Sequence, residues 1–312
     1  MALGLALSGG GIRGASHIGA LRALEEAGLK PDMIAGSSAG SIIASLYATG
    51  MTVDGMEAAF LKYAPYVLDI DFAGALGALL RLYPLFRGKP VLDGIIKGNN
   101  AEKIVNRLTE GKRMSQADIP LAITATDIND GTPVVFASRR LAGRSGGNII
   151  CCSDTLISEA VRASIAIPVV FKPKAIKVLG RARRLVDGGV TNNLPVDVLR
   201  IMGAERIIGI NLGYSGQRQE QVDNILEIGS QTIDIMMFHI TKLRNSRENV
   251  VELMHNKRSV VYPLSMNRET VVVNPQIYDV SLFEMKKIPQ CIERGYAAVK
   301  SRLPEIKKVL EL

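Results

Sequence analysis

Residues 33–48 read MIAGSSAGSIIASLYA, an apolar run, a serine between two glycines and a second apolar run. The first run has the length of a short buried strand, and the second has helical spacing up to Gly50. Gly36, Ser38 and Gly40 form the pattern G-x-S-x-G, which is typical of a nucleophile elbow, a sharp strand-to-helix turn that exposes one hydroxyl. This stretch therefore predicts an α/β fold with a candidate nucleophile at Ser38.

A serine hydroxyl needs a base to take its proton, and histidine is the usual one. The chain has three histidines, in a predicted first helix (His17), in a long apolar-periodic segment (His239) and in a basic stretch (His255). None of them lies in a glycine-framed loop. Because sequence position does not give spatial proximity, a Ser-His-Asp triad stays open.

Asp187 is another candidate for the base. It ends an apolar run and precedes Gly188, Gly189 and a polar loop. An aspartate at a strand end is commonly a turn former, because its side chain bonds nearby backbone N–H groups. The polar loop instead favours a side chain that projects at the carboxyl edge of a sheet, where open α/β sheets place their sites.

Residues 9–14 read GGGIRG and lie between a predicted strand and a helical pattern. Successive glycines let backbone N–H groups turn towards an anion at a helix N-terminus, as an oxyanion hole requires. The same residues fit G-x-G-x-x-G, so a dinucleotide-binding oxidoreductase is an alternative. That alternative needs an acidic residue at the end of the second strand, a place that the serine turn occupies.

Three motifs occur in order at 9–14, 36–40 and 187–189. Together they resemble the signature of the patatin-like phospholipases and acyl hydrolases, and the chain resembles a bacterial member of that family. The similarity covers about residues 1–213 and includes ASIAIP at 163–168. The resemblance implies an α/β protein with a three-layer fold, in which helices flank a mostly parallel central sheet, and a helical C-terminal part.

The resemblance also implies roles. Ser38 is the nucleophile and Asp187 accepts its proton, a dyad without histidine that hydrolyses lipid esters, as a phospholipase A, lysophospholipase or lipid acyl hydrolase does. The two side chains should lie within hydrogen-bond reach. An ordinary carboxylate is a weak base for serine, so we expect Asp187 to be shielded from water, which raises its pKa.

The resemblance further implies that the glycine loop supplies the oxyanion hole and that no metal or cofactor takes part. The residues of this loop are Gly9, Gly10, Gly11, Ile12, Arg13 and Gly14. A non-catalytic lipid-binding module is a further alternative.

Strand-like runs alternate with helical ones, which predicts parallel pairing through crossover helices. The runs are 2–8, 33–36, 120–127, 133–137, 184–187 and 206–212. We expect a catalytic α/β domain at 1–213 and a mostly helical extension at 214–312, packed on the same domain with Met236 and Met237 in its core.

Residues 66–86 are rich in apolar residues and glycine. They are a candidate lid or acyl-chain wall, and an ordinary buried helix is the alternative. Their longest apolar stretch is too short to span a bilayer.

Charge and cysteine content bear on partners and location. Lys and Arg number 38 against 30 Asp and Glu, a net charge of +8 that would attract an anionic surface. Peripheral contact with anionic membrane is one interpretation, and an ordinary solvated basic face is the alternative. Aromatic residues make up 5% of the chain and Trp is absent, so nucleic-acid binding is not expected.

The cysteines bear on location. The chain has three, Cys151, Cys152 and Cys291, and their spacing matches neither a metal site nor a disulfide framework. An odd number of cysteines favours a reducing cytoplasm.

Overall fold

The structure is a computed structural model that describes residues 1–67, 94–138, 150–178, 180–213, 225–245, 250–254, 260–261, 269–281 and 284–311. The strands are β1 (Leu3–Leu7), β2 (Met33–Gly36), β3 (Leu121–Asp127), β4 (Pro133–Ala137), β5 (Ile150–Cys152), β6 (Lys174–Val178), β7 (Arg181–Asp187), β8 (Arg206–Ile210), β9 (Val250–Met254), β10 (Val260–Val261) and β11 (Glu269–Asn274). The helices are α1 (Ser16–Glu26), α2 (Ala39–Ala48), α3 (Val53–Tyr63), α4 (Asn99–Leu108), α5 (Ile157–Ser164), α6 (Gly189–Asn192), α7 (Val196–Met202), α8 (Ile225–Asn245), α9 (Ile288–Lys300) and α10 (Leu303–Val309).

The strands form one mixed sheet in the order β10-β9-β11-β8-β1-β2-β3-β4-β5, with the hairpin β6–β7 attached to β3. From β9 to β3 every neighbouring pair is parallel. The carboxyl ends of β1 and β2 therefore lie at one edge, and the loops that follow these strands meet there.

Both faces of the sheet are covered. Along β1, Leu5 and Leu7 pack in a large core cluster, and Ala6 packs in a second cluster on the opposite face. This alternation follows from the period of two residues in a strand. The first cluster includes side chains of α1, α2, α5 and α9, and the second includes those of α7. The expected arrangement of helices around a central sheet is confirmed.

All six predicted strands are confirmed within a few residues. The expectation of parallel pairing holds for β1, β2, β3 and β8 but is wrong for β4 and β7, which run antiparallel to β3. Five residues join β3 to β4, and a parallel crossover needs about a dozen or more. The short connection therefore forces a hairpin.

The C-terminal residues contain the expected helices and also the unpredicted strands β9, β10 and β11. Because β11 pairs with β8, the sheet continues past residue 213. Met237 is buried as expected, but Met236 is 58% exposed, which contradicts its predicted place in the core.

The candidate lid lies outside the described residues beyond Val67. Its first residue, Tyr66, ends a 3-10 turn at Ala64–Tyr66. Among the described residues, no helix combines the length and apolar character needed to cross a bilayer. In the same part of the chain, no cluster of side chains has the composition of a metal site.

Candidate active site

Ser38 sits in a sharp turn between β2 and α2. Its backbone has φ 50° and ψ −126°, a conformation that residues with a Cβ rarely adopt. A Cβ on Gly36 would lie 2.4 Å from the carbonyl oxygen of Gly40, and a Cβ on Gly40 would lie 2.3 Å from that of Leu7. The two glycines of the predicted elbow are therefore required by close backbone contacts, and Ser38 is held in a strained position between them.

Strand pairing brings Asp187 to this turn. Along one edge of β3, β2 pairs as far as Ile123, and β7 takes over at Ala125, which pairs with Asp187. The other edge of β3 is occupied by β4. Because β2 and β7 run towards each other along the same edge, the residues after β2 meet the last residue of β7. Asp187 thus reaches the expected edge of the sheet from an antiparallel strand, contrary to the sequence-based expectation of a parallel one.

The Asp187 side chain is fully buried. Its Oδ1 atom accepts a hydrogen bond of 2.7 Å from the backbone N–H of Gly189. Burial raises the pKa of Asp187 to about 7, against the lowering effects of the Ser38 hydroxyl and the Gly189 N–H, and the charge of Asp234 raises it further. This carboxyl is therefore a much stronger base than a solvated aspartate.

The Ser38 hydroxyl faces Asp187 closely enough to lower its pKa by hydrogen-bonding attraction. Among the described residues, no donor makes a hydrogen bond of ordinary distance and angle with the Asp187 Oδ2 atom. The contact is thus looser than a formed hydrogen bond. Such contacts are common between catalytic groups without substrate and tighten when the substrate binds.

The segment ASIAIP at 163–168 ties the two halves of the site together. Ser164 Oγ accepts a hydrogen bond of 2.8 Å from the N–H of Ser38, and the Ser164 carbonyl accepts one of 3.3 Å from Gly188. The Ala166 carbonyl accepts a bond of 2.9 Å from the N–H of Asp187. These bonds fix the serine turn and the aspartate relative to each other.

The glycine loop lies against the same turn. The N–H of Gly9 donates to Asn193 Oδ1 at 3.0 Å, and a Cβ on Gly9 would lie 2.8 Å from the Ser38 Cβ. In the described part of the chain, no hydrogen-bond acceptor pairs with the backbone N–H of Gly10 or Gly11. These two donors are available to an oxygen atom that carries negative charge beside Ser38.

Arg13 is the residue of the glycine loop that has a polar side chain, and this side chain points away from bulk water. Its side chain is 4% exposed, its Nε donates to the carbonyl of Val280 at 2.7 Å, and one terminal nitrogen lies 3.4 Å from an Asp234 carboxylate oxygen. Arg13 therefore links the glycine loop to two distant segments of the chain.

No histidine occurs among the described residues that line the cavity at Ser38 and Asp187. His17 is fully buried, hydrogen-bonds through Nε2 to the Ser8 carbonyl at 2.8 Å, and burial lowers its pKa to about 4. The neutral ring supports the strand that leads into the glycine loop. His239 lies on the exposed side of α8, and His255 lies outside the described residues.

Two cavities meet at Ser38. The smaller has a volume of about 20 Å³ and is bordered by the glycine loop, Asp187, Asn193 and α8. The larger, of about 130 Å³, runs from Ser38 among apolar side chains of α2, α3 and α4 to Val67 and Phe171. One water needs ~10–15 Å³ of such space, so the larger cavity has room for an extended apolar chain.

Three contributors to the site were not assigned roles from the sequence. Asn193 was visible only as part of a polar loop, and Ser164 only as part of a motif typical of the family. Asp234 carried no signal, because it lies in an apolar-periodic helix far along the chain. Each acts through a contact with a residue distant in sequence.

A family model described as patatin-like phospholipase matches residues 5–200 of the chain. The chain belongs to the patatin-like phospholipase family. The resemblance of its three motifs is thereby confirmed.

Named relatives agree with this assignment but are much longer. Patatin-like phospholipase domain-containing protein 6 of Homo sapiens is 31% identical over 212 residues, which are 68% of this chain and 13% of that protein. Lysophospholipase nte1 of Aspergillus fumigatus is 28% identical over 221 residues, which are 71% of this chain and 12% of that protein. The chain thus spans about an eighth of the length of these relatives.

Similarity to solved structures is weaker. Human GIVD cytosolic phospholipase A2 has a TM-score of 0.47 at 11% identity, over 99% of this chain and 58% of that chain. VipD from Legionella pneumophila has a TM-score of 0.45 at 15% identity, over 97% of this chain and 67% of that chain. The family assignment therefore rests on the sequence matches.

Proposed function

We propose that the chain hydrolyses carboxylic esters of lipids through a Ser38-Asp187 dyad. The observation that carries the proposal is a strained, glycine-framed serine that lines both the apolar cavity and the smaller cavity, which it shares with a fully buried aspartate. A structural serine and aspartate would have no need of backbone strain or of a desolvated charge, both of which cost stability.

In the proposed reaction, Ser38 Oγ attacks the ester carbonyl carbon while Asp187 takes the hydroxyl proton. The tetrahedral intermediate places its negative oxygen against the N–H groups of Gly10 and Gly11, and loss of one such donor typically costs about 3–4 kcal/mol of barrier. The alcohol leaves with the proton held by Asp187, and an acyl-enzyme remains. Water then attacks the acyl carbon and gives a proton to Asp187. The bond between the acyl carbon and Ser38 Oγ breaks, Asp187 returns the proton to Ser38 Oγ, and the fatty acid is released.

The base needs no histidine because burial adjusts the carboxyl itself. A general base is most effective when its pKa lies near the working pH, and Asp187 has a pKa of about 7. Both protonation states are then accessible, so the same carboxyl can accept the proton of serine and return it to the leaving group.

The larger cavity supports a lipid substrate. Ser38 is among the residues that line it, together with the apolar side chains of Ile42, Phe60 and Val105. Apolar walls stabilise a buried hydrocarbon chain by about 0.8 kcal/mol per methylene group. The cavity therefore fits the acyl chain of an ester whose carbonyl group lies at Ser38.

The dinucleotide-binding alternative is less well supported. The glycine loop is closed on one side by Asn193 and on the other by Ser38, and the end of β2 carries the serine turn instead of an acidic residue. A lipid-binding module without catalysis remains the other alternative, and an active-site label separates it from an enzyme.

The test is labelling with a fluorophosphonate probe, together with turnover of p-nitrophenyl esters of increasing chain length. We expect one label, on Ser38, and loss of both label and turnover in Ser38→Ala. Ser45→Ala is the matched control, since Ser45 lies in the helix that Ser38 precedes and its hydroxyl donates to the Ile42 carbonyl, away from Asp187. Labelling of another serine, or turnover retained in Ser38→Ala, would refute the dyad.

We also propose that the outer face of α8 contacts an anionic lipid surface. Four large apolar side chains on this helix are exposed, and spacings of seven or eight residues between the first, the middle two and the last place them on one side. They are Ile228, Ile235, Met236 and Leu243, with exposed fractions of 52%, 37%, 58% and 66%. We call this set the α8 stripe.

The charged side chains near the α8 stripe favour an anionic surface as its partner. Lys242 is exposed beside the α8 stripe, whereas Asp234, the acidic residue among the described side chains of α8, is turned inward onto Arg13. An apolar and basic face suits a bilayer that contains anionic lipid, and the chain carries a net charge of +8.

Vesicle sedimentation tests this contact. We expect the protein to bind phosphatidylglycerol vesicles at low salt, to bind phosphatidylcholine vesicles weakly, and to lose binding in Met236→Glu/Leu243→Glu. Ile128→Glu is the control, since Ile128 is 50% exposed in the β3–β4 turn. Equal sedimentation of the double variant and the wild type would contradict the contact. It would also be contradicted if the wild type elutes as a dimer in gel filtration and the double variant elutes as a monomer, because the α8 stripe would then be a dimer interface.

A further inference from the structure

Helix α8 borders the catalytic cavity although it lies far from the three motifs in sequence. Ile233, Asp234 and Met237 line the smaller cavity with Ser38 and Asp187. A Cβ on Gly189 would lie 2.8 Å from both the sulfur and the terminal carbon of Met237, so the helix packs closely on the turn after Asp187.

Asp234 makes the polar contact of this helix with the glycine loop. Its carboxylate lies 3.4 Å from the Arg13 guanidinium, and the two side chains are 15% and 4% exposed. A guanidinium does not lose its proton at any ordinary pH, so burial of Arg13 requires an anionic partner. Arg13 also donates to the Val280 carbonyl. The ion pair therefore holds three separate segments against one another beside Gly10 and Gly11.

We propose that Asp234 is a positioning residue of the active site, which through Arg13 aligns the Gly10 and Gly11 N–H groups and keeps α8 over Ser38. The inference rests on the proposed ester hydrolysis. It differs from a purely structural role because Asp234 also faces the base, since Asp187 and Asp234 border the same cavity.

The charges around Asp187 give the sign of the expected effect. It faces the Ser38 hydroxyl from the elbow, the Gly189 N–H from its own turn and the Asp234 carboxylate from α8, and Asp234 in turn faces Arg13 from the glycine loop. The negative charge of Asp234 raises the pKa of Asp187. Removal of this charge is therefore expected to lower the pKa of Asp187.

The experiment compares kcat and KM for a p-nitrophenyl ester from pH 5 to pH 9 in the wild type, Asp234→Asn and Asp234→Glu. In Asp234→Asn we expect the acid limb of the pH profile to move to lower pH, and the plateau kcat to fall about 10- to 100-fold through misalignment. Asp234→Glu keeps the carboxylate and should restore most of the wild-type limb.

Asp54→Asn is the control, since it removes an exposed aspartate that pairs with Arg22 on the protein surface. If Asp234→Asn fails to fold, Arg13→Gln/Asp234→Asn, which leaves no unpaired buried charge, supplies the same measurement. An unshifted acid limb in the folded variant, with plateau kcat within about twofold of wild type, would overturn the positioning role. If the wild type itself neither turns over esters nor reacts with fluorophosphonate, the proposed function fails and this role with it.

Discussion

The elbow at residues 36–40 and helix α8 both border the Ser38 hydroxyl, but they are placed there by different forces. Each contains a helical glycine, which makes the contrast measurable. A Cβ on Gly40 would lie 2.3 Å from the Leu7 carbonyl oxygen. A Cβ on Gly229 of α8 would meet no atom of the described residues within 4 Å, apart from the backbone of its own helix and its chain neighbours. The elbow is determined by backbone contact, and α8 by the side chains that it directs at the site.

Asp187→Asn tests whether the elbow side of the site sacrifices stability for reactivity. The variant keeps the shape of the side chain but cannot accept the serine proton, so we expect kcat to fall about 10⁴-fold. It should also be more stable than the wild type above pH 7. Chemical denaturation at pH 4, 6 and 8 with parallel assays measures both effects.

The sign of the stability change follows from the pKa. Below about pH 3.8, the ordinary value, Asp187 is protonated in both the folded and the unfolded state. As the pH rises to about 7, the unfolded state loses its proton first, so the wild type loses stability at 1.36 kcal/mol per unit, on the order of 4 kcal/mol in all. Equal stability of the two proteins at pH 8 would show that the carboxyl is not desolvated.

Gly40→Ala tests the backbone contact in the elbow. The added methyl group cannot be accommodated without moving β1 or α2, so we expect a loss of about 3 kcal/mol in the free energy of unfolding and loss of esterase activity. Urea denaturation gives the first value. A loss below about 1 kcal/mol would mean that the turn is wider than the structure shows.

Asn193→Ala tests the link between the glycine loop and the turn after Asp187. The N–H of Gly9 would lose its side-chain acceptor, which leaves the weaker bond of 3.4 Å to the Asn193 carbonyl. We expect a loss of about 1–2 kcal/mol in stability and a lower kcat with little change in KM. Unchanged kcat would remove Asn193 from the group of residues that orient the oxyanion donors.

Gly229→Ala is the matched substitution in α8 and has the smallest expected effect. Alanine is favoured over glycine inside a helix by about 0.5–1 kcal/mol, and the space at this position is open. We therefore expect a small gain in stability and wild-type activity. Destabilisation would indicate that α8 is packed as tightly as the elbow, and the contrast between the two regions would fail.

Much of the fold followed from local pattern. The six predicted strands and the elbow were set by short apolar runs and by glycines that only a close backbone approach explains. Strand direction for β4 and β7 did not follow from apolar pattern, because hydrophobic periodicity carries no information about which strand pairs with which. Strands β9 to β11 lie where the helical pattern of the C-terminal third was the stronger signal.

By itself the sequence determined the three motifs, and with them the family and the candidate nucleophile, because backbone approach at Gly36 and Gly40 allows few other residue types. Tertiary structure alone decided that β2 and β7 meet along one edge of β3, that burial brings the pKa of Asp187 to about 7, and that Asp234 reaches Arg13. Burial and charge pairing depend on residues far apart in the chain. No local pattern encodes them, so they arise only when the chain has folded.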